Sequence, residues 1–585
     1  MSRLPLLLAL VAVALGGWTP FWADWFDDGP GAPDREAIAQ AVQARVEALP
    51  VAPEPFGAGR HAATAGLYRR ADFRALFPER AAQRRLTSLL AEARADGLAA
   101  SAVHADAARR LGEQLADAEA EWRALPKSAR DTLADPRPAL VARLDVALAD
   151  GLLRYGDALL GLRVDAAALH RGTWFPTPRD STGARRQALA DAIASGEAER
   201  AEAALRSLAP AHAGYRALRE RLAALHGADL APVPAGAPLA AGDESIRVPH
   251  LRGRLVALGY LAADSAGAWG RPRPYRFDGA LAAGVARFQA AQELPVDSTL
   301  GDAETALLNA DADALRRRLA LNLERWRWLP DDLGAHYVWS NLAAFDLRVY
   351  RDGGEAGAEP EQTFRMPINI GTAQTTGWTT PVITDSITSV IFRPAWYVPR
   401  SLVYSNVLPM ARADSLALWR QGFDVTQNGV PVDSRLVKWD SVDTSGFRFV
   451  QRPGAANPLG RVKFPMTNPY AILIHDTNRP TLRDGRGGAE SSGCLHAGDP
   501  EGFAEYLLQE INGWNEGRAA SLYRNGPRQG VRLDAPMRTH FVYFTAAVEN
   551  GALRLFDDPY GYDRRLADAL ARVPGTPAPR ATGRG

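Results

Sequence analysis

The sequence predicts an α+β, multidomain protein: an α-helical N-terminal scaffold, a small helical module, and a β-rich C-terminal part that carries the chemistry. Three observations predict it. Residues from about 34 to 230 are rich in Ala, Arg and Leu, all good helix formers. A Pro/Ala/Gly stretch, "LAPVPAGAPLAAGDE" (230–244), then reads as a linker. From about residue 313, short runs of aromatic and β-branched residues bounded by turns read as strands. At 585 residues the chain is too long for one core, so several domains are expected.

The first segment is a short apolar run. Arg3 precedes Leu4–Gly17, followed by Trp18, Trp22 and Trp25. A membrane-spanning helix needs roughly 20 apolar residues, so residues 1–25 are expected to be a secretory signal or an N-terminal membrane anchor. Export is the expectation either way. In the helical region, "REAIAQAVQARVEAL" places Ile38, Val42, Val46 and Leu49 on one apolar stripe. Its histidines, His61, His104, His170, His212 and His226, have no metal-ligand spacing and are expected to be surface or satisfied residues.

Composition excludes several functions. Net charge is +1, with 46% hydrophobic and 23% charged residues, so no basic field recruits nucleic acid. Lys127, Lys438 and Lys463 are the only lysines. None follows a glycine, which excludes a Walker A loop, and none stands three residues after a serine, which excludes a Ser-x-x-Lys acyl-serine site. A single cysteine rules out an internal disulfide and a Cys-rich zinc site.

After the linker, residues 242–310 carry Leu258-Gly259-Tyr260, Phe288-Gln289, Asp297 with Gly301, and Thr305 leading to Leu308-Asn309. This segment resembles the three-helix peptidoglycan-binding module found beside cell-wall enzymes. The resemblance implies glycan strands as a possible partner, or a module that only packs against its neighbours.

The lone thiol lies in "AESSGCLHAGDP" (489–500). Small polar residues and a glycine flank it. "PYAILIHDT" precedes it as an expected strand ending in His475. "DPEGFAEYLLQEI" follows as an expected helix with Asp499 as N-cap, Pro500 in the first turn, and Phe503, Leu507, Leu508 and Ile511 on one face. A cysteine nucleophile needs a base and donors for the oxyanion it creates. His475 and His496 are both candidates for the base, and spacing does not choose between them. The N–H groups near Gly493 and Cys494 are candidates for the oxyanion site.

"ILIHDT" followed by "SSGCLH" resembles the L,D-transpeptidases, and in particular their large, multidomain Gram-negative branch. "LNLERWRWLP", "AFDLRVYRDG", "TPVITDSIT", "FRPAWYVPRS" and "NPLGRVKF" extend the likeness. The resemblance implies a YkuD-type catalytic domain at 313–555 with a capping insertion at 391–460, after a scaffold at 30–230 and the module at 242–310. A C-terminal tail, 556–585, is expected to end without order. It implies Cys494 as nucleophile and His475 as general base, with Ser492 and Gly493 shaping the loop and oxyanion site. Ser491, Asp476, His496 and Trp396 are implied to line or support the substrate site. His496 stands where the family has Asn or Arg, which exchanges a fixed charge for an imidazole. No metal or organic cofactor is implied. The implied substrates are peptidoglycan stem peptides, donor and acceptor, in the periplasm. The implied reaction is a 3–3 cross-link, the alternatives being an L,D-carboxypeptidase, attachment of a lipoprotein amine, or a non-catalytic wall-binding scaffold.

Overall fold

The computed structural model describes residues 33–49, 60–170, 172–175, 179–228, 230–262, 274–292, 294–352, 360–478 and 487–573. The expected signal or anchor at 1–25 and the end of the expected tail lie outside these residues. Among the described residues no helix is long and apolar enough to cross a membrane. The chain forms two compact units, one of residues up to 163 with 180–209 and the stretch from Leu570, the other of 164–179 with 210–569.

The first unit is helical. Its central helix, Arg137–Leu159, is buried over nearly its whole length, because small residues such as Ala142, Ala149, Gly151 and Gly156 let neighbouring helices approach on several sides. The buried carboxylate of Asp145 accepts from the Tyr68 hydroxyl (2.7 Å) and from the N–H groups of Leu76 and Phe77 (2.9 and 2.6 Å). Asp150 is matched by Thr64, His104 and Arg154. Buried charge in this core is thus hydrogen-bonded, and His104 is a satisfied residue as expected.

The second unit begins with helices and ends in sheet. Helices Arg247–Leu258, Gly279–Ala291 and Asp302–Leu308 form the small module around Val248, Leu251, Leu255, Phe277, Leu281, Val285 and Phe288. Its signature residues are engaged within the module and against the segment 551–553. Gln289 is fully buried, donating to Asp297 (2.7 Å) and accepting from the Ser298 N–H (2.9 Å). The Tyr260 hydroxyl donates to the carbonyl of Leu553. Gly259, at φ +88°, lies so close to the carbonyl of Gly551 that a Cβ would collide with it.

The main sheet comprises β1 (His336–Asn341), β2 (Asp346–Arg351), β3 (Glu361–Gly371), β4 (Ile383–Phe392), β9 (Val462–Phe464), β10 (Ile474–His475), β11 (Ala489–Ser491), β12 (Leu495–Ala497) and β13 (Gln529–Val542). Its order is β11-β3-β12-β10-β9-β4-β13-β1-β2, and β2 also pairs with β3, which closes the sheet on itself. The chain is therefore mixed α+β, with a helical N-terminal region and a β-rich C-terminal part. The helix Pro500–Asn512 packs Phe503, Leu507 and Leu508 inward, and Asp499 accepts from the Gly502 N–H at its start (2.9 Å), both as expected. Ile511 is only half-buried.

Between β4 and β9 the chain leaves the sheet to form β5 (Trp396–Tyr397), β6 (Phe423–Gln427), β7 (Val430–Val432) and β8 (Phe447–Gln451) with short helices. These strands make a separate sheet, β5-β8-β6-β7, with its own core of Val403, Leu418, Phe423, Trp439, Phe447 and Phe449. Asn457 gathers its two ends, donating to the carbonyls of Pro394 (3.0 Å) and Arg452 (3.2 Å).

Two expectations are corrected. The strand expected over "PYAILIHDT" is only Ile474–His475, because the Asn468 side chain accepts from the N–H groups of Tyr470 and Ile472 and bends the preceding residues into a loop. Within the expected tail, buried Tyr560 and Tyr562 lead into a helix, Tyr562–Ala571, and the end expected to lack order lies outside the described residues. His170 is neither at the surface nor satisfied. It is buried against Trp174 and Tyr562, with ring centroids at 4.7 and 4.3 Å, and neither ring nitrogen has a protein partner among the described residues.

Burial holds His170 down to about 3 and His212, His475 and His540 down to about 4. These folded-state pKa values lie below the ordinary histidine value of about 6.5, so the unfolded chain binds the extra protons. The stability they confer is present above about pH 6.5 and is lost as pH falls towards 4. Calorimetric melting between pH 7.5 and 4.5 should show Tm falling steeply below about 6.5. A flat Tm across that range would show that these rings are not neutral in the fold.

Candidate active site

The site is built where three short strands meet. His475 on β10 lies directly opposite Lys463 on β9 and directly opposite His496 on β12. Directly paired residues project from the same face of a sheet, so the three side chains form a row. Cys494 stands two residues before His496, in the bend that leads into β12, and Lys463 is the charge felt at its sulfur. The rings of His475 and His496 lie 4.7 Å apart. His496 is therefore half-buried beside His475 rather than turned out to solvent.

His475 is buried, and its Nδ1–H donates to the carbonyl of Asp476 (2.5 Å), which leaves Nε2 as the basic nitrogen. Burial, and then the nearby Lys463 charge, hold it down to about 4, so it is neutral at physiological pH. The Cys494 side chain is partly exposed, yet enough protein surrounds the sulfur that burial pushes its pKa up, against the opposing influence of the Leu473 N–H and Lys463. The thiol donates to the carbonyl of Ala471 at 3.8 Å rather than to His475. The resting pair is thus a neutral thiol and a neutral imidazole.

The loop before the thiol is held from both sides. Ser491 is buried, and its hydroxyl donates to the Cys494 carbonyl (2.5 Å) while accepting from the Gly493 N–H (3.1 Å). The Gly493 N–H, one of the two oxyanion candidates, is thus engaged by Ser491 in this state. Gly493 sits at φ +119°, a conformation open to glycine. Its carbonyl accepts from the Thr380 hydroxyl (2.8 Å), which itself accepts from the Gly371 N–H (2.8 Å). The Tyr560 hydroxyl accepts from the Thr380 N–H (3.2 Å) and donates to the Gly371 carbonyl (2.8 Å), closing a buried ring of hydrogen bonds under the loop.

The other expected residues are placed as follows. Asp476 is buried and faces away from the thiol row. It accepts from the N–H groups of Arg461 and Thr477 (2.7 Å each) and from the Tyr523 hydroxyl (3.1 Å). Trp396 is half-buried against Phe423 in the core of the insertion. Ser492 is half-buried in the loop. Sequence reasoning missed Gly371, Thr380 and Tyr560, because Tyr560 lies 180 residues from Thr380 and none carries a local chemical signal. Among the described residues no group of three or more His, Cys, Asp or Glu side chains could hold a metal ion.

This geometry sits inside a region with known relatives. Residues 335–518 match the family model of the L,D-transpeptidase catalytic domain. Residues 335–518 of the β-rich part are thus similar to YkuD-type L,D-transpeptidase catalytic domains. Residues 62–222 match a second model, described as a scaffold domain. A curated Haemophilus influenzae protein named "Putative L,D-transpeptidase" is 28% identical over 253 residues, covering 43% of this chain and 49% of the relative. The match thus spans about half the length of that relative. A solved L,D-transpeptidase from Xylanimonas cellulosilytica is 13% identical with a TM-score of 0.16, covering 53% of this chain and 98% of that one. A solved Clostridium acetobutylicum protein, a fused zinc-dependent amidase with a peptidoglycan-binding domain, is 14% identical with a TM-score of 0.11, over 28% and 77% of the two chains.

The ring under the loop holds the backbone from which the Cys494 N–H and Sγ project. Thr380→Val leaves the Gly371 N–H and the Gly493 carbonyl unpaired, a cost of about 1–3 kcal/mol. Alkylation of Cys494 by iodoacetamide should slow roughly tenfold, and Thr380→Ser, which keeps the hydroxyl, should restore it. Unchanged labelling in Thr380→Val would show that the loop does not depend on the ring.

Proposed function

We propose that the protein is an exported L,D-transpeptidase that forms 3–3 cross-links in peptidoglycan through a Cys494 acyl-enzyme. The observation that supports this reading is the lone thiol directly before β12, the strand paired with β10, which carries a buried, neutral His475 whose Nδ1 is already tied to the backbone. A base in that state accepts a proton at Nε2 without first losing one.

In the proposed reaction, rotation about the Cys494 Cα–Cβ bond moves the sulfur from the Ala471 carbonyl towards His475 Nε2, which takes its proton. The thiolate attacks the carbonyl of the L-centre that precedes the terminal D-alanine of a tetrapeptide stem. The Cys494 N–H supports the oxyanion of the tetrahedral intermediate. Collapse forms the thioester and breaks the peptide bond, and His475 returns the proton to the departing D-alanine amine. The side-chain amine of a second stem then attacks the thioester, its proton passes to His475, and the Cys494 thiolate leaves. Water as acceptor gives the carboxypeptidase reaction from the same acyl-enzyme. The insertion at 391–460 acts as the cap that limits water during the lifetime of the thioester.

Incubation with a carbapenem, followed by intact-mass measurement, tests the first step. The parent should gain one drug mass and Cys494→Ala none. A folded parent that gains no mass would remove the acyl-enzyme reading and leave the wall-binding scaffold in its place.

A further inference from the structure

The chain carries positive charge almost entirely as arginine, yet the cation in the thiol row is Lys463, one of three lysines among 68 basic residues. Lys463 is half-buried at the centre of β9. It is paired with Ile391 on β4 and with His475 on β10, in the same row as His496. No carboxylate and no other hydrogen-bond partner meets its ammonium among the described residues. An ammonium has three donors and is strongly hydrated in water, so one set into a site without a counter-ion is a receptor for an anion.

The charges around it are few. Burial and the nearby Arg528 both lower Lys463, while Cys494 raises it. Lys463 in turn is the charge felt by both Cys494 and His475, favouring the thiolate of one and the neutral form of the other. Arg461, the neighbouring arginine on this segment, lies over the Tyr523 ring on the Asp476 side.

We propose that Lys463 is the anion receptor of this site: its unpaired ammonium binds a carboxylate of the donor peptide beside Cys494 and stabilises the attacking thiolate. This deepens the acyl-enzyme reading and rests on it. The class of ligand is a peptide with a free carboxylate near the scissile bond, as a stem ending in D-alanine has.

Because the chain has one thiol, alkylation reports this site alone. The test compares iodoacetate, which is anionic, with iodoacetamide, which is neutral, by intact mass between pH 6 and 9, on the parent, Lys463→Met, Lys463→Arg and Lys438→Met. Lys438 is exposed in the insertion and serves as the control. Lys463→Met should lower the ratio of iodoacetate to iodoacetamide rates by about 3- to 10-fold and move the alkylation profile to higher pH. Lys463→Arg should restore most of the ratio, and Lys438→Met should leave it unchanged. Added salt should shrink the parent's preference towards that of Lys463→Met. A Lys463→Met protein with the parent's melting temperature, ratio and pH profile would overturn the proposal while leaving Cys494 as a nucleophile. A parent that iodoacetamide does not label would remove the nucleophile itself, and this proposal with it.

Discussion

The register of a two-residue strand decides the chemistry of this protein. Ile474–His475 is the whole of β10, held between β9 and β12. Side chains in a strand alternate between faces, so a slip of one residue would turn His475 away and present Asp476 to the thiol. Two ladder pairs on each side are a weak specification of register. Asp476 supplies the rest. Its carboxylate is clasped by two backbone N–H groups and Tyr523 on the opposite face, and Gly460, at φ +59°, leaves room for it where a Cβ would collide. A buried carboxylate that lost those partners would be costly, so the same residue that never meets the substrate keeps the imidazole on its side of the sheet.

A second constraint follows from burial. Removing His475 and Cys494 from water disfavours the charged form of each, which keeps them as a neutral pair and leaves the sulfur bonded to the Ala471 carbonyl. Such a resting state makes a poor general nucleophile, and activation then depends on what enters the site. The Leu473 N–H and the Lys463 charge work against the burial of the thiol. Selectivity and reactivity are therefore set by the same few groups, since anything that stabilises negative charge at the sulfur also stabilises it on a bound donor.

Much of this was legible in the sequence, and the parts that were not share a cause. The thiol, both histidines, the following helix with its Asp499 cap, and the change from helix to sheet near residue 313 are all local patterns. A local pattern is what sequence spacing reports. The β10 strand was read too long because Tyr470, Ile472 and Leu473 have strand composition, whereas the Asn468 side chain spends its bonds on their backbone and holds them in a loop over the sulfur. His170 was misplaced because its aromatic cage is assembled from segments around residues 174, 328 and 562. The ring of Gly371, Thr380 and Tyr560 is invisible for the same reason. Of the signature residues of the small module, Gln289 is engaged by hydrogen bonds inside it and Tyr260 by one to Leu553 outside it. A motif can mark how a module folds and docks as readily as what it binds.

Tyr560 places a structural demand on the far end of the chain. Its hydroxyl bridges β3 and Thr380 beneath the nucleophile loop, and its ring stacks on Tyr543 at 5.6 Å. Asp558 secures the turn, accepting from the Tyr543 hydroxyl (2.5 Å) and from the Tyr562 N–H (2.8 Å). Tyr562 continues to the Thr173 hydroxyl (2.7 Å). Thr173 and Phe175 exchange backbone hydrogen bonds with Val382, two residues beyond Thr380. The segment at 172–175, which by sequence belongs to the helical region, thus braces the residues just before β4 that also support Gly493 through Thr380. The nucleophile loop is supported by a hydrogen-bonded chain that runs from Thr380 through Tyr560 and Tyr562 to Thr173, the last two lying 389 residues apart in sequence.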